Sequence, residues 1–135
     1  MKRASVFFLS TCLLLSLCSC KQYRTDVTRD EIVSAYRAAG YEVWTDTYDE
    51  DMDSGIIAYV QANHKNGDYI HFAIFENAKD AKSYEKDLDH PVMKGLFSVI
   101  FGDPSWERME TYGCIVVSYR DPEFFEPFAV LLKAK

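Results

Sequence analysis

The sequence predicts an α+β fold, a single two-layer domain with a mainly antiparallel five-stranded sheet and helices on one face. Composition and element order carry this prediction. The chain has 135 residues, of which 48% are hydrophobic and 27% charged, and this is typical of one folded domain. Its patterns follow the order α-βββ-αα-ββ-α, and runs of strands separated by runs of helices favour α+β. We expect the domain to span residues 27–135.

The first helix has the clearest start signal in the chain. Thr28 and Glu31 have the spacing of a capping box, and Val27 and Ile32 occupy the positions of a hydrophobic staple. Apolar residues then recur at helical spacing until Gly40, a residue type that ends many helices in the left-handed conformation. These signals predict a helix that begins at residue 29 and ends at residue 39.

Three strands are predicted after this helix, at residues 41–48, 56–63 and 69–75. The first alternates between apolar and polar residues, and the other two are rich in β-branched and aromatic residues. Asn66-Gly67, between the second and third strands, is the strongest hairpin signal in the chain.

The register of this hairpin decides which side chains share a face. A two-residue loop, Asn66-Gly67, and a three-residue loop, 65–67, are the two possibilities. A slip of one residue moves every side chain of a strand to the other face, so burial favours the register with the cleaner apolar face. That register is the three-residue loop with Gly67 left-handed. Its apolar face would contain Ile56, Ala58, Val60, Ala62, Ile70, Phe72 and Ile74.

Two helices are predicted next. Asn77 caps the first of them, in which Ala81, Tyr84 and Leu88 form an apolar stripe. Pro91 breaks that helix and suits the first turn of the second helix, which is predicted at residues 92–101.

A second hairpin and a last helix complete the pattern. Residues 106–111 and 114–119 alternate as two strands joined at a Tyr-Gly pair. Asp121-Pro122 is a helix-start signal, and apolar residues follow it at helical spacing.

The second face of the sheet is the candidate binding face. Tyrosine and tryptophan combine a flat apolar surface with a polar tip, which suits a small ligand or a protein partner. The alternative is that the chain's own helices or C-terminal segment cover this face. The candidate residues are Trp44, Tyr48, Tyr59, Tyr69, His71 and Phe75.

An acidic stretch between the first two strands is a weak calcium candidate. Asp49, Asp51 and Asp53 stand at alternate positions, as carboxylates do in loops that wrap a hard cation. The EF-hand pattern fails because Gly55 comes one position late and Val60 stands where a glutamate is required. The alternative is a solvated turn that keeps strand ends from aggregating.

No catalytic or cofactor motif is present in the sequence. The three histidines lack zinc-ligand spacing, and Cys114, the one cysteine beyond residue 20, lies in an apolar segment without a nucleophile signature. No nucleophile elbow and no glycine-rich phosphate loop occur. We therefore expect a protein that is not an enzyme and has no cofactor.

The N-terminus has the pattern of a secretory signal. Basic residues at 2–3 precede an apolar run at 4–17, which is too short to span a bilayer comfortably. The run ends in Leu17-Cys18-Ser19-Cys20, with leucine three residues and a small residue one residue before the last cysteine. These residues resemble the lipobox of bacterial lipoproteins, and the resemblance covers residues 1–20.

The resemblance implies that residues 1–19 are removed and that Cys20 carries a diacylglyceryl group with palmitate-type chains. Residues 20–26 would be a tether to the extracytoplasmic face of a bacterial membrane. The alternative is an ordinary secretory peptide that leaves Cys20 a free thiol. Losing Lys2 and Arg3 leaves 13 basic and 21 acidic residues, a net charge near −8 that opposes nucleic acid as a partner.

The combined prediction is a membrane-anchored extracytoplasmic binding or interaction module, whose partner is a protein or a small ligand. One alternative is an inhibitor or accessory protein of an envelope enzyme, which would present the loop at 49–55 to its partner. The other alternative is a small enzyme, but the sequence contains no motif that supports it.

Overall fold

The computed structural model describes residues 23–48, 55–88 and 108–133. The signal segment, the acidic residues 49–54 and the predicted helix at 92–101 lie outside the described residues. None of the helices in the described ranges has the length and hydropathy needed to span a bilayer.

The described chain forms helices and strands in the predicted order wherever the two can be compared. The helices are α1 (Arg29–Ala38), α2 (Ala78–Leu88) and α3 (Glu126–Lys133), and a 3-10 turn at Pro122–Phe125 precedes α3. The strands are β1 (Glu42–Thr47), β2 (Ile56–Asn63), β3 (Tyr69–Phe75), β4 (Arg108–Tyr112) and β5 (Ile115–Tyr119).

The strands form one open sheet in the order β1-β2-β3-β5-β4. Every neighbouring pair is antiparallel. The α+β fold class and the five-stranded antiparallel sheet are therefore confirmed. β3 lies at the centre of the sheet, and β1 and β4 are its edges.

The predicted register of the β2–β3 hairpin is confirmed. Val60 lies opposite Phe72, and the His64 N–H donates to the Asp68 carbonyl at 2.8 Å, which leaves a three-residue loop. Gly67 in this loop has a φ of 93°, the left-handed conformation predicted for the three-residue loop. Ile56 is the exception to the predicted apolar face, because a bulge between Ile56 and Ala58 places it opposite Phe75.

One face of the sheet, here called the covered face, is wholly apolar and packs against α1 and α3. Tyr36 of α1 is fully buried against Phe72 of β3, with ring centroids 5.4 Å apart. Phe128 of α3 contacts Phe72 from the other side at 5.1 Å. The Tyr36 hydroxyl donates to the Phe124 carbonyl at 2.6 Å, so the one polar atom of this ring has a partner. The sheet residues of this core are Ala58, Val60, Ala62, Ile70, Phe72, Ile74, Ile115, Val117 and Tyr119.

The expectation that all helices lie on one face is wrong for α2. Its predicted stripe packs on the opposite face of the sheet, where Ala81 joins Ala73 and Val116 in a second buried cluster. The physical reason is that this face is apolar over β3 and β5, so α2 can bury its stripe there. The sheet is therefore the middle layer of three where α2 crosses it.

The predicted helix start at Thr28 is confirmed in detail. The Glu31 N–H donates to the Thr28 hydroxyl at 3.3 Å, and the Thr28 N–H donates to the Glu31 carboxylate at 2.8 Å. Residues 23–26, assigned to the tether by composition, contact the domain: the Arg24 N–H donates to the Leu132 carbonyl at 3.0 Å. The Tyr23 ring meets the Tyr112 ring edge to face at 5.5 Å.

Candidate binding site

A cavity of about 420 Å³ opens on the second face of the sheet, here called the cavity face. Its floor is formed by the sheet from β1 to β4, and Tyr84 and Leu88 of α2 form one wall. Trp44 and Tyr48 line it from the β1 side. The volume falls in the range that holds small-molecule ligands in proteins.

Two rows of directly opposed residues cross the sheet at the floor, because the strand pairs keep their register from Ala58 to the hairpin loop, and all of these residues except Thr111 line the cavity. One row crosses all five strands and is mainly polar: Trp44, Gln61, His71, Ser118 and Met109. The neighbouring row is more apolar at its centre: Asp46, Tyr59, Ala73, Val116 and Thr111. The cavity thus offers a strip of hydrogen-bonding groups beside a strip of apolar surface.

Aromatic rings shape the cavity on the β1 and β2 side. Tyr48 and Tyr59 meet edge to face, with centroids 5.3 Å apart and ring planes at 87°. Tyr59 also stacks on His71 at 4.9 Å, with the ring planes at 29°. The Tyr59 hydroxyl is hydrogen-bonded to that of Tyr84, and burial, followed by the interactions with Tyr84, raises the pKa of Tyr59. These contacts link the floor to the α2 wall.

Two titratable groups set the charge of the cavity. Burial lowers the pKa of His71 from 6.5 to about 4, so its imidazole is neutral at neutral pH. Asp46 is exposed at the β1 rim, and none of the ion pairs within the described residues includes it. The described lining residues include no lysine or arginine, and Asp46 is the one acidic residue among them.

The polar floor also offers hydrogen-bonding groups of Gln61 and Ser118 to a ligand. The Gln61 amide N–H donates to the Asn63 side chain at 2.8 Å, which leaves the Gln61 carbonyl to accept from another group. Ser118 is the buried polar residue of the described sheet, and it is only 7% exposed. A ligand with a hydroxyl or amide group could bond to either residue.

The structure brings together four of the six residues of the predicted binding face. Trp44, Tyr48, Tyr59 and His71 line the cavity. Phe75 is not part of the lining, because it is buried beneath α2 with its ring 5.1 Å from Tyr84. The sixth residue, Tyr69, lies opposite Asn63, one row beyond the floor towards the hairpin loop, and is not among the lining residues.

Several lining residues were not predicted from the sequence. Asp46 could have been found, because it alternates with Trp44 and Tyr48 on β1 and so shares their face. Tyr84 belongs to the predicted α2 stripe, but the stripe gives no information about which face of the sheet it covers. Ser118 and Met109 are brought to the floor only by the pairing of β5 with β3 and β4.

The calcium candidates Asp49, Asp51 and Asp53 lie outside the described residues. In the ranges that the structure describes, no three side chains of histidine, cysteine, aspartate or glutamate cluster as metal ligands. Gly55, the residue that follows the acidic stretch, has a φ of 68° and lies against Asp80 of α2.

Comparisons with protein families, with curated proteins and with solved structures found no match to this chain.

Proposed function

We propose that this protein is a lipid-anchored extracytoplasmic binding module and that the cavity is its ligand site. The observation that carries the proposal is the meeting of four candidate aromatic and histidine residues around one cavity of about 420 Å³. A cavity with a mainly apolar wall and a few convergent polar groups is the usual form of a small-molecule site.

The contrast between exposure and position supports binding rather than packing as the role of Trp44. Trp44 is 62% exposed. It lies directly opposite Gln61 on the neighbouring strand and lines the cavity. A large aromatic residue left in water gains little for stability, and such residues are enriched where proteins bind ligands and partners. The exposed indole therefore supports a ligand at this place.

The anchor part of the proposal rests on Cys20 in the lipobox-like segment. Three residues beyond Cys20, Tyr23 already contacts the domain through Tyr112. A chain of this length reaches at most about 10 Å. A lipid on Cys20 would therefore hold the domain against the membrane rather than at the end of a long flexible tether.

The binding part is tested by titrating the full-length protein, in a non-ionic detergent, with a panel of small neutral, anionic and cationic ring compounds. Nuclear magnetic resonance would follow the Trp44 indole N–H and the His71 imidazole signals. We expect at least one class of compound to shift both signals, and Asn66, exposed in the hairpin loop, to serve as the reference position that does not shift. If no compound shifts the cavity signals, the cavity is not the ligand site.

The anchor part has its own test, the Cys20→Ala variant expressed in a bacterium. We expect this variant to remain uncleaved and without lipid, whereas Cys18→Ala should still be processed. A Cys20→Ala protein that matures and stays on the membrane would contradict the lipoprotein assignment.

A further inference from the structure

We propose that the cavity binds a small organic cation, such as a quaternary or methylated ammonium group, between its aromatic side chains and the carboxylate of Asp46. This inference rests on the proposed function and names the class of its ligand. Three independent features of the cavity support it: its charge, the arrangement of its rings and its polar floor.

The charge of the lining favours a cation and disfavours an anion. Asp46 is the one residue with a formal charge in the described lining, and it forms no ion pair with the described residues. A bound anion would find no lysine or arginine there, and the imidazole of His71 is neutral at neutral pH. A bound cation would instead meet an unpaired carboxylate, and the acidic chain as a whole would attract it.

Aromatic residues, whose ring faces attract cations, accompany Asp46 in the cavity lining. Asp46 lies directly opposite Tyr59, so its carboxylate and that ring are cross-strand neighbours on one face. Tyr48 meets Tyr59 edge to face at 87°, and Tyr59 has one ring face against His71, so a cation would approach the remaining ring surfaces of this pair. Trp44, two residues from Asp46 on the same strand, adds the ring type with the strongest attraction for cations.

The polar floor indicates that the ligand also carries a neutral hydrogen-bonding group. Gln61 and Ser118, on either side of His71 in the polar row, have groups that can bond to a hydroxyl. An ammonium compound with a hydroxyl, such as choline, would satisfy both strips of the floor. Choline is therefore the probe that we choose.

The experiment is a titration of the full-length protein with choline at neutral pH, followed by calorimetry and by the fluorescence of Trp44 in a Trp106→Phe background. A second titration uses the neutral isostere, in which carbon replaces the nitrogen of choline. We expect choline to bind and the isostere to bind about tenfold more weakly or less, because only the cation gains from the rings and the carboxylate.

Asp46→Asn supplies the matched test within the protein. The replacement keeps the size of the side chain and removes its charge, and we expect choline affinity to fall about tenfold while the melting temperature is unchanged. The control is Glu42→Gln, which removes a charge from the same face of β1 about 13 Å away, beyond a Debye length at physiological salt. We expect that control to change choline affinity by less than about twofold.

Each outcome of these titrations either supports or overturns the inference that the cavity binds an organic cation. Binding of choline that needs its charge and Asp46 supports it. Equal binding of the isostere, an Asp46→Asn variant with unchanged affinity, or no binding of choline would overturn it. If choline fails while a neutral compound of the panel shifts the cavity signals, the binding function stands and only the ligand class is wrong.

Discussion

The two faces of the sheet are built from the same strands but differ in how much of each face the described helices cover. On the covered face, β2 and β3 present only alanine and branched or aromatic apolar side chains, and α1 and α3 bury all of them. On the cavity face, the alternate residues of the same strands include Tyr59, Gln61 and His71, and α2 covers only part of them. Among the described helices, α2 packs where the cavity face is apolar, and none packs over its polar and aromatic part.

The difference between the faces is energetic as well as chemical. Burying apolar side chains stabilises the covered face by about 25 cal/mol for each Å² removed from water. Burying the polar row of the cavity face would require a hydrogen-bond partner for every polar atom. A bound ligand can supply such hydrogen-bond partners. A partly covered face with polar groups is therefore suited to binding a ligand.

The largest expected effect tests the covered face. Phe72→Ala should lower the free energy of unfolding by about 3–5 kcal/mol, because Phe72 is fully buried between Tyr36 and Phe128 and its loss leaves a cavity. Tyr59→Ala, the comparison variant on the cavity face, should cost about 1–2 kcal/mol, because its ring is only partly buried. Urea unfolding measures both, and equal losses would mean that the two faces contribute alike to the core.

A smaller effect tests the buried histidine of the cavity face. The folded domain lowers the pKa of His71 to about 4, whereas the unfolded chain titrates near 6.5. As the pH falls from about 6.5 to about 4, the unfolded state binds more protons, so His71 should cost the fold on the order of 2 kcal/mol. From about one pH unit above 6.5 the imidazole is neutral in both states and contributes no further pH dependence.

His71→Phe should remove this loss, and unfolding in urea at a series of pH values measures it. The control is His64→Gln, a replacement at the exposed residue directly before the hairpin loop, which should leave the loss attributed to His71 in place. A His71→Phe protein with the same acid sensitivity as the parent would show that the loss has another origin.

The smallest effect on stability is expected at the rim of the cavity. Trp44→Ala should change the free energy of unfolding by less than about 0.5 kcal/mol, because the side chain is 62% exposed. The same variant should abolish the choline response in calorimetry. Val130→Ala, which removes an equally exposed apolar side chain from α3, should alter neither quantity. A large loss of stability in Trp44→Ala would make Trp44 part of the core and weaken the binding proposal.

Much of the fold follows from local signals in the chain. The capping box at Thr28, the left-handed Gly67 and the alternation of β2 and β3 each act within a few residues of one another. Such signals are readable because short-range geometry and burial decide them. The part of the covered face that β2 and β3 form could therefore be predicted side chain by side chain, with Ile56 excepted because a bulge shifts the register of β2 against β3.

The candidate site was predicted only in part, for a physical reason. Trp44, Tyr48, Tyr59 and His71 were found because alternation assigns them to a face. Phe75 and Tyr69 share that face, but α2 buries the first and the second lies one row beyond the floor. Alternation assigns a residue to a face, but it does not say where on that face a helix will pack.

The sequence by itself determined the α+β class, the described helices and strands, the register of the β2–β3 hairpin and its apolar face apart from Ile56, because these depend mainly on residues close in the chain. Only the tertiary structure decided that α2 crosses to the second face and that β5 pairs with β3. Those two arrangements place Ser118 beside His71 and Tyr84 beside Tyr59, and they leave the cavity next to Asp46. They depend on packing between distant segments, and no local pattern in the chain records that packing.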